Sequence, residues 1–182
     1  MTKAGRQRTV KFASKSQRRT VWPAVLASMA LVLGGAWWAR SASQGAQLGQ
    51  EFANQGQEHI AVGAKHPAYN SFPATSGWHY AEPQPWGAYS YEIAPETLVH
   101  NLEHGGVVIQ YNPELLGGDV SKLEAIQARF PNKTVVAPNS KLKMALALTS
   151  WRRLYTLNAL DEVKIAEFIE RYENRAPEQF PD

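Results

Sequence analysis

The chain has 182 residues, no cysteine, and a formal net charge of +3 with neutral histidines. Without cysteine there are no thiol nucleophiles, disulfide frameworks or thiolate metal sites. The basic excess is local, since eight of the 19 lysines and arginines fall in the first 40 residues and all 16 acids lie beyond them. A nucleic-acid partner is therefore not implied.

Residues 1–20 form a basic tail carrying Lys3, Arg6, Arg8, Lys11, Lys15, Arg18 and Arg19. An uncharged run of 19 residues follows, from Val21 to Ala39, closed by Arg40. As a helix it would reach about 28 Å, one hydrocarbon core. Trp37 and Trp38 fall where indole rings favour the headgroup layer. Residues 21–39 thus predict a single transmembrane helix embedded in lipid. The positive-inside rule then places the N-terminus in the cytoplasm and the remainder outside it, at the cell membrane. The alternative is a cleaved signal peptide ending at Ser41-Ala42-Ser43. The long basic stretch and long apolar run favour the anchor.

Residues 40–57 are small and polar and read as a tether, leaving 58–182 as one extracytoplasmic domain. From His59 to Pro95 the chain is punctuated by proline and glycine and rich in Trp and Tyr, the pattern of a long ordered loop. Pro95 to His104 predicts a short helix with proline in its first turn and Gly105 as its stop. Val107 to Tyr111 reads as a buried strand. Ser121-Lys122-Leu123-Glu124 has the form of a capping box, opening a helix with Leu123, Ile126 and Phe130 on one stripe. Thr134–Ala137 and Met144–Leu148 suit strands, and Ile165, Phe168, Ile169 and Tyr172 mark a final amphipathic helix. The expected fold is α+β: a β-α-β-β-α second half forming a small mixed sheet with helices on one face, preceded by the long loop.

All five histidines, His59, His66, His79, His100 and His104, fall between residues 59 and 104. Imidazole is the commonest metal-ligand side chain and the usual acid–base group near neutral pH. His100 and His104, four apart on a helix, share one face and can chelate an ion. His66, His79, His100 and His104 are the expected metal ligands, with Tyr69, Asn70 and Glu103 supporting them from behind. His59, beside the tether, reads as a surface residue. A site rich in imidazole without thiolate suits copper or zinc, for sensing, delivery or structural use. Met144 is a conceivable soft ligand but better suited to the core. His100-Asn101-Leu102-Glu103-His104 also fits the inverted zinc-protease motif, so a metal-dependent hydrolase with Glu103 as general base is one alternative. Against it, Gly105 stops the helix at once and the domain is small. A non-catalytic interaction module with structural histidines is the other. Enzymatic activity is the less favoured outcome.

Four strings together carry a resemblance: His66-Pro67-Ala68-Tyr69-Asn70, Pro73–His79, Leu98–Val108 and Tyr111-Asn112-Pro113. Their spaced combination resembles the signature of the membrane-anchored bacterial family known as domain of unknown function 3105, over roughly Gly63 to Pro177. The resemblance implies one N-terminal anchor and one external domain, and no activity.

Overall fold

The structure is a computed structural model that describes residues 48–178. The basic tail, the segment expected to cross the membrane and the first part of the tether lie outside the described residues. Among those described, no helix is long and apolar enough to cross a membrane.

The chain begins with three two-residue strands, β1 (Gln50–Glu51), β2 (His59–Ile60) and β3 (His79–Tyr80), followed by β4 (Gly87–Ala88). Helix α1 spans Pro95–Glu103, and β5 spans Val107–Tyr111. A four-residue helix, α2 (Pro113–Leu116), and a 3-10 turn (Gly117–Asp119) lead into α3 (Val120–Arg129). Strands β6 (Thr134–Pro138), β7 (Leu146–Ser150) and β8 (Arg153–Leu157) precede the last helix, α4 (Glu162–Tyr172). One six-stranded mixed sheet has the order β1-β8-β7-β5-β6-β4, and β2 with β3 forms a separate two-stranded parallel ribbon.

Each local choice has a physical cause. Pro95 opens α1, where its missing N–H is no loss, and Gly105 leaves the helix at φ +79°. Asn112 caps α2 by accepting from the backbone N–H of Glu114 and Leu115. The capping box expected at Ser121 does not form, because the preceding 3-10 turn starts α3 at Val120 and no side chain caps it. Strand β8 is an addition to the expected strands. It follows β7 through Trp151-Arg152, with Arg152 in the left-handed region at φ +64°.

The expectation of helices on one face is corrected by the packing. Every residue of β5 is buried, and successive side chains point to opposite faces. Val107, Ile109 and Val136 pack with Leu123 and Ile126 of α3 and Ile165, Phe168 and Ile169 of α4. Val108 and Val135 pack instead with Leu98, Val99 and Leu102 of α1, together with Ala74 and Trp151. A sheet with an unbroken apolar centre needs cover on both sides, so α1 and the aromatic loop form the second layer. The segment 48–57, within the expected tether, is joined to this body. β1 pairs antiparallel with β8, and the Phe52 N–H donates to the Arg152 carbonyl.

Candidate metal centre

Two pieces of backbone meet at the C-terminal end of α1. The β2–β3 ribbon sets His59 directly opposite His79 in parallel register. Helix α1 brings His100 and Glu103 in its last turn, and His104 is its C-cap. The His100 Nδ1–H donates to the Tyr80 carbonyl oxygen at 2.6 Å, fastening helix to ribbon. Asn101, fully buried, holds the loop on the other side: its amide donates to the Gln84 carbonyl at 2.7 Å and its oxygen accepts from the Gln84 N–H at 3.0 Å.

The ring centroids of His59 and His79 lie 4.6 Å apart, and each lies 5.0 Å from that of His100. One ligand atom from each of these three rings falls within 4.8 Å of the others, as do those of His100, Glu103 and His104. Glu103 Oε2 stands 2.9 Å from His79 Nε2 and 3.7 Å from His59 Nε2. The other carboxylate oxygen accepts from Gln57 Nε2 at 2.9 Å. His100 Nε2 and His104 Nε2 are 3.0 Å apart, and His104 Nε2 is 3.3 Å from Glu178 Oε2.

The hydrogen bonds fix which nitrogen faces inward. The His79 Nδ1–H donates to the Gly77 carbonyl at 2.8 Å, so a neutral ring offers a lone pair at Nε2. His100 is oriented the same way by Tyr80. Donating the outer N–H to a carbonyl is the arrangement that holds metal-binding imidazoles in place. Among the described residues, His79 Nε2 and Glu103 Oε2 are both fully buried and have no hydrogen-bond partner, although they stand at ion-pair distance from each other. Two acceptors facing each other across 2.9 Å repel unless a cation, proton or metal, lies between them.

The residues expected in the site divide. His79, His100, His104 and Glu103 come together, with Glu103 at the centre rather than behind the rings. His59 is half exposed, as expected of a surface residue, and its ring still reaches the cluster. His66 does not. Its Nε2 meets Glu96 Oε1 in the first turn of α1 at 3.1 Å, its Nδ1 meets the Pro67 carbonyl at 2.8 Å, and its ring stacks on Trp78. Tyr69 and Asn70 brace the loop instead of the histidine rings of the cluster: the Tyr69 hydroxyl donates to the Trp78 carbonyl, and the Asn70 amide to that of Ala53. Burial, with Glu96 nearby, pushes the Tyr69 hydroxyl above its ordinary pKa. Burial and the neighbouring His100 hold His104 below the ordinary imidazole value, against Glu178 and Glu103, which act in the opposite direction. Gln57, Glu96 and Glu178 were not legible as partners in the sequence.

The two glycines after the cluster have a steric reason. At Gly105 a Cβ would sit 2.9 Å from the Asn174 Cα, on a backbone at φ +79°. At Gly106 it would meet the Trp86 ring and the Asn101 carbonyl under 3.0 Å. Gly105 thereby admits the C-terminal segment, whose Asn174 N–H donates to the Gly105 carbonyl and whose Glu178 N–H donates to that of Glu103.

The family described as a protein of unknown function, DUF3105, matches residues 62–181. The chain belongs to this family. No curated protein and no solved structure matches the chain. The DUF3105 match spans His79, His100, Glu103, His104 and Glu178, and begins three residues after His59.

Proposed function

We propose that this domain binds one copper or zinc ion through His59, His79, His100 and Glu103, and that residues 21–39 anchor it outside the cytoplasm at the membrane. The observation that carries the metal reading is the buried, unbonded pair of His79 Nε2 and Glu103 Oε2, with two more imidazoles at its edge. In a tetrahedral ion with bonds of 2.0–2.1 Å, donor atoms stand about 3.3 Å apart. The separations of 2.9 and 3.7 Å between Glu103 and the His79 and His59 rings straddle that value. Three imidazoles and one carboxylate, without thiolate, suit zinc and Cu(II). The hydrolase alternative is weakened, since one oxygen of Glu103 faces the ligand centre and the other holds Gln57, leaving none to activate water.

The test is calorimetric titration of the chelator-stripped full chain in detergent with Zn(II) and with Cu(II). One ion per chain is expected, with binding lost in urea. No affinity beyond that of the urea-unfolded chain would defeat the reading. The location is tested separately. Val62 is highly exposed, and the chain has no cysteine, so Val62→Cys is a unique label site. A membrane-impermeant maleimide should label it in intact cells.

A further inference from the structure

Strand β5 buries one carboxamide, that of Gln110, which is 5% exposed. Gln110 shares the α1 face of the sheet with Val108, two positions earlier. Its register partners on either side are Ala137 and Ala147, so neither adjoining strand sets a large side chain next to it on that face. The layer above does not close the space. Phe72, Pro73, Ala74, Ile93, Pro95 and Leu98, from the aromatic loop and the start of α1, wall a cavity of about 250 Å³ with Gln110 in its lining. The cavity shares no residue with the histidine cluster.

The polar groups at its wall are already bonded, with one exception. The Tyr69 hydroxyl donates to the Trp78 carbonyl at 2.6 Å, and the Ser71 and Thr75 hydroxyls bond each other at 3.0 Å. Asn139 Oδ1 accepts from the Lys141 backbone N–H at 3.1 Å, which fixes the other atom of that amide as nitrogen. That nitrogen donates to Gln110 Oε1. Gln110 Nε2 is thereby left over, with no hydrogen-bond partner among the described residues.

We propose that the cavity binds a small neutral molecule, an apolar body of one ring with a single carbonyl-type oxygen that accepts from Gln110 Nε2. Size sets the body. An apolar cavity of about 150 Å³ holds benzene, so 250 Å³ admits about ten non-hydrogen atoms. Charge sets the polar end. Among the described residues, no charged side chain lines the cavity, so an ionised ligand would lose its hydration without a counter-charge. A neutral acceptor loses less, and it satisfies a donor whose burial is otherwise a cost. Phe72 lines the cavity while 52% exposed, so its ring stands at the mouth.

The experiment titrates the isotope-labelled full chain in detergent with acetophenone and reads proton–nitrogen correlation spectra. The wild type, Gln110→Met and Ala74→Leu are compared in the same micelles, so that partition of the probe is common to all three. Saturable shifts are expected at residues 71–74 and at the Gln110 side-chain amide, with a Kd of about 1 mM or tighter. Gln110→Met keeps the length of the side chain and removes the donor, and it should weaken binding about fivefold. It should not weaken α-methylstyrene, in which a methylene replaces the carbonyl oxygen. Ala74→Leu fills the cavity and should weaken both probes more than about tenfold. Shifts in the wild type that never saturate would overturn the proposal. So would equal affinity of acetophenone for Gln110→Met, which would remove the donor from recognition. Shifts at Phe72 that persist in Ala74→Leu would place the probe on the surface and overturn the cavity. Melting temperatures are measured alongside, and Gln110→Met carries the test if Ala74→Leu unfolds.

Discussion

Both ends of α1 pair a histidine with a glutamate at nearly the same distance, and only one of the two pairs has the makings of a metal site. At the first turn, His66 and Glu96 stand 3.1 Å apart in a hydrogen bond, and the other ring nitrogen is bonded to Pro67. At the last turn, His79 and Glu103 stand 2.9 Å apart with no hydrogen bond, and three further imidazoles crowd around them. Proximity of an imidazole and a carboxylate is therefore uninformative. What separates the two ends is how many donor groups converge on the carboxylate. At the first turn both partners of His66 are acceptors, so one added proton satisfies the pair, whereas the last turn gathers further imidazoles around its carboxylate and offers a metal ion donors that the first turn lacks.

The largest expected effect breaks this comparison directly. Glu103→Gln or His79→Ala should lower zinc affinity by about 100-fold or more, because each removes an inner donor. His66→Ala should leave it within about threefold, because His66 bonds Pro67 and Glu96 and not the cluster. Titration calorimetry on the full chain decides it, and equal losses at both ends would dissolve the distinction. Protons compete with the ion for the same lone pairs, so acidification should weaken zinc binding in the wild type.

A second measurement sharpens it. Zinc at 100 times its Kd should stabilise the folded chain by about 2.7 kcal/mol, a rise in melting temperature of roughly 10 °C for a domain of this size. Excess chelator should reverse the shift. The same addition should leave the melting temperature of Glu103→Gln nearly unmoved, while His66→Ala should keep the full increment.

The two ends were unequally legible in the sequence. Helix α1 and its stop followed from Pro95 and Gly105, and the His100–His104 pair followed from helical spacing, because these are local facts. His59 was not legible. It reaches the cluster only through a two-residue parallel ribbon with a strand 20 positions further along the chain, and beside Gln57 and Glu58 nothing marks this half-exposed ring as a neighbour of His79 and His100. His66 was misplaced for the complementary reason: its flanking prolines and aromatics signal an ordered loop, but not the Glu96 that it meets. The second helical layer was implicit in the five-residue run of β5, Val-Val-Ile-Gln-Tyr, which lacks the alternation of a strand with one wet face. Strand β8 escaped because its turn uses Arg152 at positive φ, where glycine or asparagine would have announced a hairpin.

The supporting shell gives the next effect in size. Asn101 makes two hydrogen bonds to Gln84 from a fully buried position. Asn101→Ala leaves both Gln84 backbone groups without that partner, and it should destabilise the domain by about 2 kcal/mol in denaturant unfolding. Zinc affinity should fall too, since Asn101 sits between His100 and Glu103 and ties the loop to their turn. A stability loss with unchanged affinity would show that the cluster is held by the β2–β3 ribbon alone.

The smallest effect lies across the sheet. Ile165 is fully buried among Leu123, Ile126 and Phe168, in the layer that does not touch the histidines. Ile165→Val removes one methyl group from a packed core and should cost about 1 kcal/mol. The cavity it leaves is separated from His79 and Glu103 by the sheet itself, with no shared hydrogen bond to carry the change. Substitutions at separated sites without common partners add independently. Zinc affinity should match the wild type, although stability falls. The variant thus fixes what a purely structural perturbation does to the site, and the Asn101 result takes its meaning from that baseline. If Ile165→Val weakened zinc binding as much as Asn101→Ala, the two layers would act as one unit, and no loss of affinity outside the inner ligands could be assigned to a local cause.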